Sequence, residues 1–215
     1  MNLIYDILGG ALALALLAVA LWSLRVFRPW LDRPEVRAWV GSYWSAALGV
    51  ALYLVHAGTE PGEMALTALR NSFLMLGIGL QWVGCFRFKA GRGALVLCLA
   101  PVALYLGTFV LLAPNLYGRP LAFSVGGVPF LLHGAWVLVR DMPAPIRRTG
   151  RFVALTLAIH GSFHLFRAGV LVLHWGTADL MLWIAVGFLE AFPVLVTLAV
   201  AQWMLVEHRM EESVA

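Results

Sequence analysis

Charge interrupts this chain only at intervals, and the stretches between the charges are long. Apolar runs of at least the roughly 17 to 25 residues that a helix needs to cross the hydrocarbon of a bilayer occur seven times. They are Leu3 to Leu24, Ala38 to Ala57, Ala65 to Phe86, Ala94 to Ala113, Leu121 to Val139, Phe152 to His174 and Ala178 to Val206. Hydrocarbon offers no partner for a backbone N–H or C=O, so only helices and closed barrels satisfy a chain within it. A barrel would show alternating segments of about 10 residues, and these runs are continuous. With 62% hydrophobic residues, 12% charged residues and a mean hydropathy of +0.87, a soluble domain is excluded. The expected fold is an all-α integral membrane bundle of seven transmembrane helices. Pro101, Pro129 and Pro193 fall inside the fourth, fifth and seventh runs, where lipid tolerates them as kinks.

Basic residues orient the bundle, because short cytoplasmic loops collect Lys and Arg. Arg25, Arg28, Arg33 and Arg37 follow the first run; Arg87, Lys89 and Arg92 the third; Arg140, Arg147, Arg148 and Arg151 the fifth. The opposite loops carry only Arg119, with Glu60 and Glu63. The N-terminus is therefore expected outside and the C-terminus in the cytoplasm. The net charge of +4 reflects this topology and some attraction to anionic lipid; it does not call for nucleic acid. The first run is too long for a cleaved signal peptide, and its positive charges follow it. The seventh run passes into QWMLVEHRMEESVA without a Gly or Pro stop, so its helix is expected to continue into water. Residues 1–206 then form the membrane domain and 207–215 begin a cytoplasmic helix. Cys85 and Cys98 lie at the reducing side and lack partners at ligand spacing, which makes them core residues.

Projection at about 100° per residue gathers the polar side chains of three helices into stripes. In the sixth run, Thr156, His160, His164, Arg167 and His174 share a face, with Phe152, Leu155, Phe163 and Phe166 off its centre. In the third, Thr67, Arg70, Gly77 and Gln81 align, with Asn71 beside them. In the seventh, Asp179, Trp183, Glu190 and Thr197 align. Charges facing lipid cost several kcal/mol each, so these faces are expected to turn inward around a polar pocket. At 1.5 Å per residue, Glu190 and His133 lie ~18 Å from the outer helix ends and His160 ~12 Å from the inner end. Arg70 and Arg167 sit nearer the outer face. The pattern describes a pocket facing outward, with guanidinium groups at its mouth and histidines and a carboxylate at its floor. Arg70, Asn71, Gln81, His133, His160, His164, Arg167, Trp183 and Glu190 are the candidate ligand-binding residues. Simpler readings stand beside these: the arginines snorkel to head groups, and His133 is a core histidine bonded to a backbone carbonyl. Glu190 is too deep to snorkel and needs a partner, with His160 and Arg167 as candidates.

Several chemistries fail on what they require. A retinal protein needs a lysine in its seventh helix, and Lys89 is the chain's only lysine. A zinc hydrolase could draw on His133, His160, His164 and Glu190, but no HExxH-type signature supports it. Neither a haem, another cofactor nor a metal is assigned on the i, i+4 histidine spacing alone, and no internal repeat suggests a transporter.

The third run and its exit, LTALRNSFLMLGIGLQWVGCFRFKAGR (66–92), resemble the seven-helix input domains that precede GGDEF domains in bacterial diguanylate cyclases. LWSLRVFRPW after the first run, RRTGRFVAL before the sixth and MLVEHRMEES after the seventh fit the same pattern. No GGDEF signature or soluble catalytic domain occurs in the 215 residues. The resemblance implies a sensor module of a bacterial cytoplasmic membrane, not itself an enzyme. It implies binding of a small-molecule or lipid ligand, an anion among the candidates, and signalling through the seventh helix to a cytoplasmic GGDEF-type output domain, usually as a homodimer. The alternatives are a membrane metal- or haem-binding enzyme or redox protein using the His/Glu cluster, and a lipid-binding or transport protein.

Overall fold

A computed structural model describes residues 3–90, 95–140, 142–174 and 180–214. Among them all regular structure is helical. The elements are α1 (Leu3–Val26), α2 (Pro34–Ala51), α3 (Glu60–Ala90), α4 (Ala100–Leu112), α5 (Gly118–Val139), α6 (Arg147–Leu173) and α7 (Leu180–Val214), with 3-10 turns at Arg28–Trp30, Leu52–Leu54 and Leu95–Leu99. Helices α1, α2, α3, α5, α6 and α7 pack in that order, and α7 closes back on α1. Helix α4 stands outside this ring, against α3 and α5.

Four segments are long and apolar enough to cross a membrane: Leu95–Leu112, Gly118–Val139, Arg147–Leu173 and Leu189–Met210; Gly10–Val26 is a shorter apolar helix. Helices α2 and α3 fall below that mark because mean hydropathy counts residue types and ignores the side they face. Their polar residues are inside: Ser42, Ser45, Arg70, Asn71 and Gln81 are all buried. The apolar residues, conversely, spread over the outer surface. Leu111 is 78% exposed and Leu173 80%, and such a coat suits an apolar solvent rather than water.

Glycines set how closely the inner helices approach. A Cβ on Gly77 would lie 3.1 Å from the Ser42 carbonyl oxygen, and one on Gly49 would lie 3.0 Å from that of Arg70. A Cβ on Gly84 would meet the Trp39 ring at 2.4 Å. Helices α2 and α3 are therefore in near-backbone contact along most of α2. Gly79, on another side of α3, does the same for the Leu95–Leu99 turn: its Cβ would lie 2.0 Å from the Cys98 carbonyl oxygen. Both cysteines are buried and unpaired.

Two boundaries differ from the sequence reading, at the end of α2 and the start of α4, while α7 runs on past Val206 as expected. The second helix ends at Ala51 rather than Ala57, and the chain tightens to a 3-10 turn before Val55 turns extended. The reason lies on α3, where Arg70 takes the carbonyls of Leu52 and Val55. Pro101 does not kink a helix; it occupies the first turn of α4, where its missing N–H has no intrahelical partner to lose, and the preceding residues are 3-10. Helix α7 is a single element of 35 residues to Val214, about 52 Å long, with Pro193 in its interior.

Gly79→Ala is expected to lower the thermal midpoint of the purified protein clearly, because the Cβ clash with Cys98 outweighs the better helix propensity of Ala, about 1 kcal/mol. Gly107→Ala, with nothing within 4 Å of its added Cβ, should leave the midpoint unchanged or raise it. Fluorescence-detected size-exclusion melting curves of the two variants check the contrast.

Candidate functional site

The ring encloses a cavity of about 440 Å³. Tyr53, Arg119 and Pro120 line it towards the turns that follow α2 and α4, Ser42 and Gln81 at the other extreme, and His160, His164 and Arg167 along α6.

The first end is held by two adjacent residues of α3. Arg70 donates from Nε to the Leu52 carbonyl at 2.9 Å and from a terminal nitrogen to that of Val55. Its guanidinium also lies 3.5 Å from the Glu63 carboxylate and 5.0 Å over the Tyr53 ring. Asn71 accepts from the Tyr53 hydroxyl at 2.9 Å and donates to the Tyr105 hydroxyl at 3.2 Å. Arg70 thus ties α3 to the carbonyls of the turn after α2, sharing that of Leu52 with the Val55 N–H, while Asn71 joins α3 to the same turn and to α4. Arg119 donates to the Ala113 carbonyl at 3.1 Å, fixing the turn after α4.

The opposite extreme is a buried hydrogen-bond chain. The Tyr43 hydroxyl donates to Gln202 Oε1 at 2.6 Å, Gln202 Nε2 to Gln81 Oε1 at 2.5 Å, and Gln81 Nε2 to Ser42 Oγ at 2.5 Å. Ser42 passes its own proton to the Trp39 carbonyl at 2.6 Å. Helices α2, α3 and α7 are tied together in a region where none of these groups reaches water, since Gln202 is fully buried and Tyr43, Ser42 and Gln81 nearly so.

Between these ends stand the charges of α6 and α7. His160 Nδ1 meets both Glu190 oxygens, at 2.8 and 3.1 Å. The His164 ring lies one turn on, its centroid 4.6 Å from that of His160. The buried His164 Nδ1 has no hydrogen-bond partner. Arg167 is buried as well. One terminal nitrogen donates to Ser124 Oγ at 3.3 Å, the guanidinium lies 5.5 Å over the Phe123 ring, and Nε has no partner. Its other terminal nitrogen lies 3.1 Å from where a Cβ of Gly187 on α7 would stand. Among the described residues no carboxylate forms an ion pair with Arg167, as Glu190 does with His160 and Glu63 with Arg70.

Of the residues expected to form one site, Arg70, Asn71, Gln81, His160, His164 and Arg167 line the cavity, and Glu190 adjoins it through His160. His133 is elsewhere, exposed on the outer side of α5, where Trp82 Nε1 donates to its Nδ1 at 2.7 Å. The Trp183 side chain and Asp179 lie outside the described residues. On α6 the stripe is buried at Thr156, His164 and Arg167 and half-buried at His160, while Phe152, Leu155 and Phe166 are exposed; His174 is exposed too, beyond the last turn.

Sequence reading missed Tyr53, Arg119, Ser42, Tyr43 and Gln202. Gln202 stands about 120° around the helix from Glu190 at 100° per residue, so the projection that grouped the other α7 residues set it aside. The available signal was a lone amide deep in an apolar run, which needs an internal partner. Compared with protein-family models, curated proteins and solved structures, the chain finds no match.

Gln202→Leu strands the Tyr43 O–H and Gln81 Oε1 and is expected to cost about 1–3 kcal/mol. The double variant Gln81→Leu/Gln202→Leu should cost less than the two single changes together, because they belong to one network. Unfolding in detergent measures the cycle, and strictly additive costs would show that the amides act independently.

Proposed function

We propose that the chain is a sensory domain of a bacterial cytoplasmic membrane, crossing it seven times with the N-terminus outside. It takes a small ligand bearing an acidic group into the central cavity. Arg167 carries this reading: a buried guanidinium on the cavity wall with an unpaired Nε and no carboxylate partner among the described residues. Burying an unbalanced charge is costly, and a ligand carboxylate or phosphate would supply both the missing charge and the missing acceptor. Arg70, balanced by Glu63 and two carbonyls, shapes the entrance and is not the anion's main contact.

Ligand contact reaches α7 because Arg167 lies against Gly187. Six residues beyond, Pro193 removes one backbone hydrogen bond from the helix, so the segment before it can tilt apart from the segment after it. The latter is fastened to the bundle: Arg209 donates to the Phe88 carbonyl at 2.7 Å, and His208 Nδ1 lies 3.1 Å from the Thr149 hydroxyl. A ligand biases the bundle only by binding one arrangement of α7 better than the other. The shift then leaves through the α7 tail towards a cytoplasmic output domain of the GGDEF type, in a homodimer, as the resemblance of residues 66–92 implies. The basic loops support the same topology.

Ligand binding is read out by thermal shift of the full chain in nanodiscs against a panel of dicarboxylates, inorganic phosphate, phosphate esters and fatty acids. At least one acid should raise the midpoint, Arg167→Gln should remove that rise without lowering the unliganded midpoint, and a neutral amide analogue should give none. A panel without any shift, or a shift that survives Arg167→Gln, would sink the reading. Topology has its own check: in the cysteine-free background Cys85→Ala/Cys98→Ala, a cysteine at Gly58 should label with an impermeant maleimide from outside intact cells. A cysteine at Arg148 should label only after permeabilisation.

A further inference from the structure

The cavity wall formed by α6 and α7 contains a group of atoms that the acidic-ligand reading does not use. One potential ligand atom each from His160, His164 and Glu190 lies within 4.8 Å of the others. In a tetrahedral zinc site such atoms stand about 3.4 Å apart, each about 2.1 Å from the ion. His160 Nδ1 and the Glu190 oxygens are already closer than that, at 2.8 and 3.1 Å, so two of the three ligands already stand together. A second observation points the same way. Buried nitrogen atoms are normally paired, yet among the described residues the buried His164 Nδ1, on a side chain that lines the cavity, has no protein partner. A metal ion would use its lone pair.

We propose that His160, His164 and Glu190 bind a divalent ion of the zinc class. Two imidazoles and a carboxylate are borderline ligands that suit Zn²⁺ and its late first-row neighbours, whereas Mg²⁺ and Ca²⁺ call for an oxygen shell. The helix supplies the geometry, since residues at i and i+4 of α6 lie on one face and Glu190 meets them from α7. Binding replaces the His160–Glu190 hydrogen bond by metal–ligand bonds and releases the proton between them. Three protein ligands leave a coordination position open, as in zinc sites that act on a ligand rather than only brace a fold. His164 and Arg167 both line the cavity, one turn apart on α6, so an acidic group there can coordinate the ion and accept from the guanidinium together. This last step rests on the acidic-ligand reading; the metal site itself does not.

The test uses tag-free full chain in nanodiscs, stripped with chelator and titrated with Zn²⁺ by calorimetry and with Co²⁺ by visible absorbance. One equivalent should bind, and Co²⁺ should show the ligand-field bands of an N/O site. His160→Ala/His164→Ala should weaken Zn²⁺ binding by about 100-fold or more, and Glu190→Gln by about tenfold. His133→Ala, on the outer face of α5, should change nothing. His164→Gln, which keeps most of the volume, serves if the alanine variants do not fold. Absence of stoichiometric binding, or binding unchanged in the double variant, overturns the proposal. The acid panel repeated on Arg167→Gln separates the two readings. An acid response lost with Arg167 in a chain that binds no Co²⁺ defeats the metal site alone. Co²⁺ binding beside an acid response indifferent to Arg167 defeats the acidic-ligand reading alone.

Discussion

The near-backbone contact between α2 and α3 is the constraint on which the other features depend. Glycine at 49, 77 and 84 removes the side chains that would hold the two helices apart. Small residues let membrane helices gain dispersion contacts where lipid provides no hydrophobic drive. The contact also brings polar groups together. With the backbones this close, Ser42 Oγ reaches Gln81, and Ser45 Oγ donates across the interface to the Phe73 carbonyl at 2.7 Å. Just past the end of α2, Arg70 takes the carbonyl of Val55 and shares that of Leu52 with the Val55 N–H. A wider spacing would separate these partners and leave them buried without a bond, at about 1–3 kcal/mol for each neutral group and more for the charge.

The segment LRNSFLMLGIGLQWVGC thus has a structural meaning, residue by residue, that is independent of any family resemblance. Arg70 and Asn71 clamp one end of the cavity; Gly77 and Gly84 face α2; Gly79 faces the turn before α4; Gln81 enters the amide chain with Gln202. A string of this kind keeps its spacing because each position meets a different neighbour around one helix.

Most of the helices could be read in the sequence because apolar run length and helix length are set by the same solvent. The inward stripe on α6 was legible as well, since charge and imidazole have a preferred side when the other side is hydrocarbon. What escaped depends on neighbours. His133 has the residue type of a site histidine and a similar depth, but Trp82 of α3 holds it on the outside of α5, and no periodicity in α5 alone could reveal that. The early end of α2 was hidden for the same reason: the residues after Ala51 remain apolar, and the chain leaves the helix because an arginine 15 to 18 residues further on claims its carbonyls. Gln202 lies off the stripe of its own helix and bonds to Tyr43 of α2 and Gln81 of α3.

The distribution of its bonds sorts α7 into two halves. After Pro193 the helix is fixed by the Gln202 amides, by buried Leu198, Ala201 and Leu205, and by Arg209 stacked 4.4 Å over the Phe88 ring. Before it, the described polar contacts are few: Glu190 holds His160, and Gly187 abuts Arg167. A helix with one end fastened and the other in contact with a buried charge moves as a lever only if its middle yields. Pro193 provides that place, because no hydrogen bond ties its nitrogen to the carbonyl of Leu189. An acid bound as proposed would be drawn towards α6 by the cation of Arg167 and repelled from α7 by the Glu190 carboxylate through like charge.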